Sequence, residues 1–214
     1  YKKFILLKQK INFYANIKRF FVYGFPLLFV AIAFFVINYS DRYMLLFLLE
    51  DKIALQEIGL YSFYNKIATA SLMFLVVFRM IWMPFVLKHY HDLNYKKVFR
   101  YIIVFCATIS LSISLFVSLF SFEILNIFSG DKIYLLKYNV LSLVFIIQLL
   151  ILLGNYTSIG IHIMKKTTYS ALFGVLFAII NIFLNYFLIP IYMLEGAIIA
   201  SILSMLGYVV ATNI

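Results

Sequence analysis

Hydrophobic residues along this chain fall in long unbroken runs separated by short polar connections. Six runs can be drawn: Val22–Ser40, Gly59–Leu87, Tyr101–Phe122, Tyr138–Ile163, Tyr169–Ile189 and Gly196–Ile214. Each is long enough for a membrane-crossing helix, because about 20 residues at ~1.5 Å rise cover the hydrocarbon core. They are too continuous for the alternating ten-residue strands of an outer-membrane barrel. The expected fold class is therefore all-α, an integral membrane bundle of about six transmembrane helices over residues 22–214. Residues 1–21 mix basic and bulky apolar side chains. They read equally as an amphipathic leader along the cytoplasmic surface and as a connection from a preceding helix. The sequence opens on Tyr1 without a signal-peptide pattern and stops as the last run completes one crossing. The expectation is a fragment, one half of a larger transporter or channel.

Composition sharpens the class. Of 214 residues, 65% are hydrophobic and only 12% charged, where soluble domains run near half and a quarter. That excludes a secreted disulfide scaffold, a nucleic-acid-binding domain and a conventional soluble enzyme. The net charge of +10 is spread between the runs, so no nucleic-acid partner is expected. Lys and Arg total twelve on alternate connections and four on the others, which places the leader and the second and fourth connections in the cytoplasm. Tyr23, Tyr39, Tyr43, Tyr90, Tyr101, Tyr138, Tyr186 and Tyr192 mark the interfaces. The single cysteine, Cys106, allows no internal disulfide or thiolate metal site.

Polar residues inside the runs are the candidate chemistry. Lys66 and Arg79 sit within the second run, and each costs roughly 2.5–3.5 kcal/mol at a helix centre. On a continuous helix Asn65 lies within about 40° of Arg79 with Tyr61 above it, and Lys66 flanks that stripe. Lys66 and Arg79 point about 140° apart on the wheel, and since a guanidinium matches phosphate geometry, the functional reading is a cavity-lining cation for an anionic headgroup. The alternative is an interhelical pair or a snorkelled anchor. Asp41 and Arg42 close the first run. Neighbours on a helix do not face each other, so each needs a partner elsewhere, and an interface anchor is an equal reading. All eight carboxylates read as lying at or beyond helix ends, leaving Asp41 as the acid for any ion coupling within this chain.

Gln148, Asn155 and His162 recur every seven residues in the fourth run, as helix glue or as a hydrated wall. Small or polar stripes run along three others: Ala107, Ser110, Ser114, Ser118 and Ser121; Ser170, Gly174, Ala178, Asn181 and Asn185; and Gly196, Ala200, Ser204, Gly207 and Ala211. Close helix packing is their favoured reading. His89, His91 and Asp92 are poorly spaced for a metal site, and no nucleotide loop, HExxH or GxSxG string occurs. No catalysis, cofactor or metal is expected.

The run from Tyr23-Gly-Phe-Pro26 through Asn38-Tyr-Ser-Asp41-Arg42-Tyr43 resembles the start of the second half of Wzx-type polysaccharide flippases. These belong to the MOP superfamily, which also holds drug antiporters and lipid II flippases. The resemblance continues in Gly59-Leu-Tyr61-Ser-Phe-Tyr-Asn-Lys66-Ile-Ala, in Arg79-Met-Ile-Trp82-Met-Pro84-Phe85, and from Asn181 to Pro190 followed by Glu195-Gly196-Ala197. It implies one lobe of a two-lobed, alternating-access transporter in a bacterial inner membrane. Such a protein flips undecaprenyl-pyrophosphate-linked oligosaccharide units from the cytoplasmic to the outer leaflet, alongside a polysaccharide polymerase and chain-length proteins. By position, Asp41 and Arg42 match the family's Asp-Arg pair, and Tyr61 and Lys66 fall in its Gly-x-Tyr-Ser segment. The candidate substrate contacts are thus Arg79, Lys66, Asn65, Tyr61, Arg42, Asp41, Gln148, Asn155 and Asn181. The alternatives are a multidrug exporter of the MATE kind and, further off, a membrane-embedded polymerase, acyltransferase or structural subunit.

Overall fold

A computed structural model describes residues 13–89, 95–130, 132–135, 137–159, 161, 164 and 166–212. Its helices are α1 (Phe13–Leu48), α2 (Asp51–Ser71), α3 (Met73–His89), α4 (Tyr95–Leu119), α5 (Ser121–Phe128), α6 (Tyr138–Thr157) and α7 (Thr167–Thr212), with a 3-10 turn at Lys132–Leu135. No strand occurs among the described residues. The segments Phe21–Leu48, Arg100–Leu119, Tyr138–Thr157 and Thr167–Thr212 are long and apolar enough to cross a membrane. The fold is an all-α membrane bundle. His91, Asp92 and His162 lie outside the described residues.

The fifth hydrophobic run and residues 196–212 of the sixth fall within α7, yet α7 is a hairpin rather than a rod. Ser170 meets Tyr208, and Asn181 meets Ser201. Gly207 lies against Phe177, and Gly196 against the Leu188 backbone. Each pair sums to nearly the same number, which is the signature of two antiparallel arms. The reversal falls at Met193, with φ 51° and ψ −124°, a left-handed conformation that costs an L-residue free energy. Pro190, three residues earlier, lacks an N–H for the helix ladder.

Gly196 makes the hairpin tip possible, because an added Cβ would run into the Leu188 carbonyl. We expect Gly196→Ala to destabilise the protein by about 1–3 kcal/mol, the usual penalty of overpacking. Gly59→Ala, which adds its methyl to open space, should cost nothing. Thermal unfolding of both variants in detergent checks this; equal midpoints would contradict the hairpin.

Lipid tails are as apolar as leucine, so helices associate here through close packing and interhelical hydrogen bonds. The most extensive contact joins α1 to α7, where an added Cβ on Gly174 would lie 3.3 Å from the Ala33 Cβ. Ala33, Ile37, Ala178, Met205 and Tyr208 are buried in this seam. The stripe Ser170, Gly174, Ala178, Asn181 and Asn185 is entirely buried, in accord with its reading as a packing face. Central to the bundle is α6, with 56% of its span buried against 11% for α1.

The second run departs from a continuous helix. It divides into α2 and α3 around Leu72, at φ −96° and ψ 2°. A helical-wheel argument carried from Asn65 to Arg79 therefore crosses an irregular turn. Arg79 stands on α3, and its side chain lies outside the described residues.

Candidate functional site

Asp41 is the centre of the site, and its placement corrects the sequence reading. It lies inside α1, not at a helix end, because the hydrophobic run resumes after Tyr43 and carries the helix to Leu48. Its side chain is fully buried. Glu57 likewise lies inside α2, whereas Glu195 follows the reversal at Met193 and starts the second arm of α7.

Three donors converge on the Asp41 carboxylate. Asn185 Nδ2 donates to Oδ1 at 2.9 Å, while Tyr61 Oη at 3.0 Å and Ser201 Oγ at 2.8 Å donate to Oδ2. A second tier surrounds them. Asn181 Nδ2 donates to Ser201 Oγ at 3.1 Å, and Asn181 Oδ1 accepts from Ser40 Oγ at 2.8 Å and from Asn185 Nδ2 at 3.3 Å. Burying a carboxylate is costly unless hydrogen bonds replace its water, and this shell supplies them. One atom is left over: Asn185 Oδ1 is buried without a hydrogen-bond partner among the described residues. A buried carboxylate beside an orphaned carbonyl oxygen, ringed by hydroxyls, has the chemistry to take up a proton or a small hard cation.

The backbone explains the assembly. The small residues of the α1–α7 seam bring the two helices close. Further along the same stripe, glycine and alanine give way to Asn181 and Asn185, whose amides then fill the gap toward Ser40 and Asp41. The antiparallel arm adds Ser201, and α2 adds Tyr61.

Arg42 turns the other way, to the α2 face. Its Nε lies 3.3 Å from Ser62 Oγ and its Nη1 3.4 Å from the Asn38 carbonyl. Its guanidinium carbon sits 5.4 Å from the Tyr39 ring centre and 5.1 Å from that of Tyr61, within cation–π range. No carboxylate lies at ion-pair distance from it among the described residues. Lys66, exposed, follows Ser62 by one turn of α2, about 6 Å along the axis. Arg42 and Lys66 therefore flank one α2 surface.

The other candidates are placed differently. Asn65 Oδ1 accepts from Gln148 Nε2 at 2.6 Å, which ties α2 to α6. Asn155 Nδ2 donates to the Ile151 carbonyl of its own helix. Asp41, Tyr61 and Asn181 thus come together, with Arg42 adjacent; Gln148 and Asn65 form a separate interhelical bond. Asn185 and Ser201 were not among the expected contacts. The i,i+4 spacing that puts Asn185 on the same face as Asn181 is the signal that could have found it. Ser201 gave no signal, since it depends on the α7 reversal.

No curated protein and no solved structure matches the chain. Residues 1–90, which hold Asp41, Arg42, Tyr61 and Lys66 but not the α7 half of the site, are similar to the family described as polysaccharide biosynthesis protein.

Proposed function

We propose that this chain serves a membrane transporter that moves undecaprenyl-pyrophosphate-linked oligosaccharides from the cytoplasmic to the outer leaflet of a bacterial inner membrane, without catalysing a chemical reaction. The observation that carries the reading is the placement of two cations on one α2 surface, Arg42 without a carboxylate at ion-pair distance among the described residues and Lys66 exposed, beside a fully buried carboxylate cluster around Asp41. Both α1 and α2, which supply most of this arrangement, lie in the stretch similar to polysaccharide biosynthesis proteins. In the proposed mechanism the guanidinium and ammonium hold the pyrophosphate, and Arg42 does so with planar, paired donors. The Asp41 cluster changes occupancy, by proton or cation, as the transporter alternates. Tyr61 touches both halves, donating its hydroxyl to Asp41 and presenting its ring to Arg42. The sugar-bearing lipid is the partner, and the polymerase and chain-length proteins are those that would take over its cargo.

Depletion of the gene should make undecaprenyl-pyrophosphate oligosaccharides accumulate in the inner leaflet, and plasmid-borne wild type should reverse it. Lys66→Ala should rescue roughly tenfold less well, the loss of one partly solvated charge contact to phosphate. Unchanged lipid pools on depletion, with new sensitivity to cationic drugs, would replace this reading by that of a drug exporter.

A further inference from the structure

Tyr39 is one of the tyrosines that mark the interfaces by sequence, yet its ring has a specific partner. It precedes Arg42 by three residues on α1, close to one helical turn, and the Arg42 guanidinium carbon lies over it at 5.4 Å from the ring centre. The Tyr61 ring, on α2, meets the same guanidinium at 5.1 Å. Among the described residues no other cation lies over two rings.

Both rings are themselves held. Phe35, one turn before Tyr39, lies 4.8 Å from it, ring centre to ring centre, and the Tyr61 hydroxyl is tied to Asp41 at 3.0 Å. They offer fixed faces to a side chain that would otherwise turn about several bonds. Tyr43 is the contrast. It follows Arg42 directly, is 68% exposed, and makes no ring or cation contact among the described residues.

What the rings leave open is the rim of the guanidinium. Its N–H groups lie in one plane, and stacking occupies the faces of that plane rather than its edge. Nε donates to Ser62 Oγ and one Nη1 N–H to the Asn38 carbonyl. The remaining N–H groups, all on the terminal nitrogens, make no hydrogen bond among the described residues and are left for an anion.

We infer that Tyr39 is a positioning residue for the headgroup: with Tyr61 it forms an aromatic clamp that fixes the plane of the Arg42 guanidinium and presets its terminal N–H groups for a phosphate. A side chain held in its binding geometry loses less freedom when the ligand arrives. The identity of the anion, a polyprenyl pyrophosphate, rests on the transporter reading; the clamp itself rests on the ring geometry.

The test uses the purified protein in lipid vesicles with a fluorescent polyprenyl pyrophosphate as probe. Tyr39→Leu, which keeps bulk but removes the ring, is expected to raise the apparent KM about two- to fivefold at unchanged maximal rate, the loss of one partly exposed cation–π contact. Tyr39→Phe, which keeps the ring, and Tyr43→Leu, which removes the neighbouring interface tyrosine, should match the parent. In an Arg42→Ala background Tyr39→Leu should slow transport no further, because the clamp then has nothing to hold. An unchanged KM in Tyr39→Leu, the same loss in Tyr43→Leu, or an equal loss with and without Arg42 would overturn the inference.

A second readout needs no transport. The chain has four arginines, so the Arg42 side-chain N–H resonance of an isotope-labelled sample can be assigned by its absence from Arg42→Ala. Ring currents from Tyr39 and Tyr61 should place it upfield of an exposed arginine's. Tyr39→Leu is expected to move it downfield, and Tyr39→Phe to leave it in place. If the parent moves no pyrophosphate lipid, the functional reading fails and this resonance decides the clamp by itself. A parent resonance at the exposed-arginine position, or one unmoved in Tyr39→Leu, overturns it.

Discussion

Asp41→Asn is expected to leave a folded protein that no longer exports its lipid. The substitution keeps the shape of the side chain and an acceptor for Tyr61 and Ser201. Rotation of the Asn185 amide would bring its unpartnered Oδ1 toward the new amide N–H, so the buried shell can close again. What disappears is the exchangeable negative charge, and with it the capacity to bind a proton or cation within the bilayer. Asp41→Ala is a different lesion. It strands three donors, on Tyr61, Asn185 and Ser201, and should cost about 3–5 kcal/mol, as for removing one partner from a buried charged network. The pair is read by membrane abundance, thermal midpoint and surface polysaccharide. Normal export by Asp41→Asn would make the cluster a structural bolt between α1, α2 and α7 and remove it from the transport cycle.

Arg42→Ala should lower export by roughly 10- to 100-fold at normal protein abundance. That is the range given by losing a charge-assisted contact of about 1.5–3 kcal/mol. The half-buried guanidinium makes one long side-chain bond, one long backbone bond and cation–π contacts with Tyr39 and Tyr61, so its removal should cost on the order of 1–2 kcal/mol of stability, too little to unfold the protein. Arg42→Lys should recover only part of the export, because an ammonium cannot make the planar, paired contact to a pyrophosphate. Full activity in Arg42→Ala would move the headgroup site elsewhere, with Arg79 on α3 the next residue to substitute.

Hydropathy made the all-α membrane class legible, since bilayer thickness converts run length into helices, but not the number of crossings: four segments are long and apolar enough to span, and the second run divides at Leu72. The small-residue stripe of the fifth run was also legible as a packing face, because close approach requires residues of that size wherever the partner lies. The site was legible only in part. Asp41 and Arg42 stood out as a charged pair closing the first run, Tyr61 beside the Arg79 stripe and Asn181 in a stripe of small and polar residues, but which of them meet depends on distant chain segments. The carboxylate looked terminal because Asp41-Arg42-Tyr43 interrupts the hydropathy profile without interrupting the helix. The Arg79 stripe rested on an unbroken helical wheel, whereas the run carries an irregular turn at Leu72. Ser201 became a ligand of Asp41 only through the reversal at Met193, a conformation that no neighbouring glycine announced. Lys137 looked like one more basic residue in a loop, and the carboxylates it meets, on Glu57 and Glu195, lie 80 and 58 residues away.

The most direct test of the account is the initial rate at which the protein in sealed vesicles moves a fluorescent polyprenyl pyrophosphate, compared with the same lipid bearing an uncharged headgroup. Rapid movement of the pyrophosphate lipid, little of the neutral one, and loss of that preference in Arg42→Ala are the expected results. Equal rates for the two lipids in the wild-type protein would contradict the account.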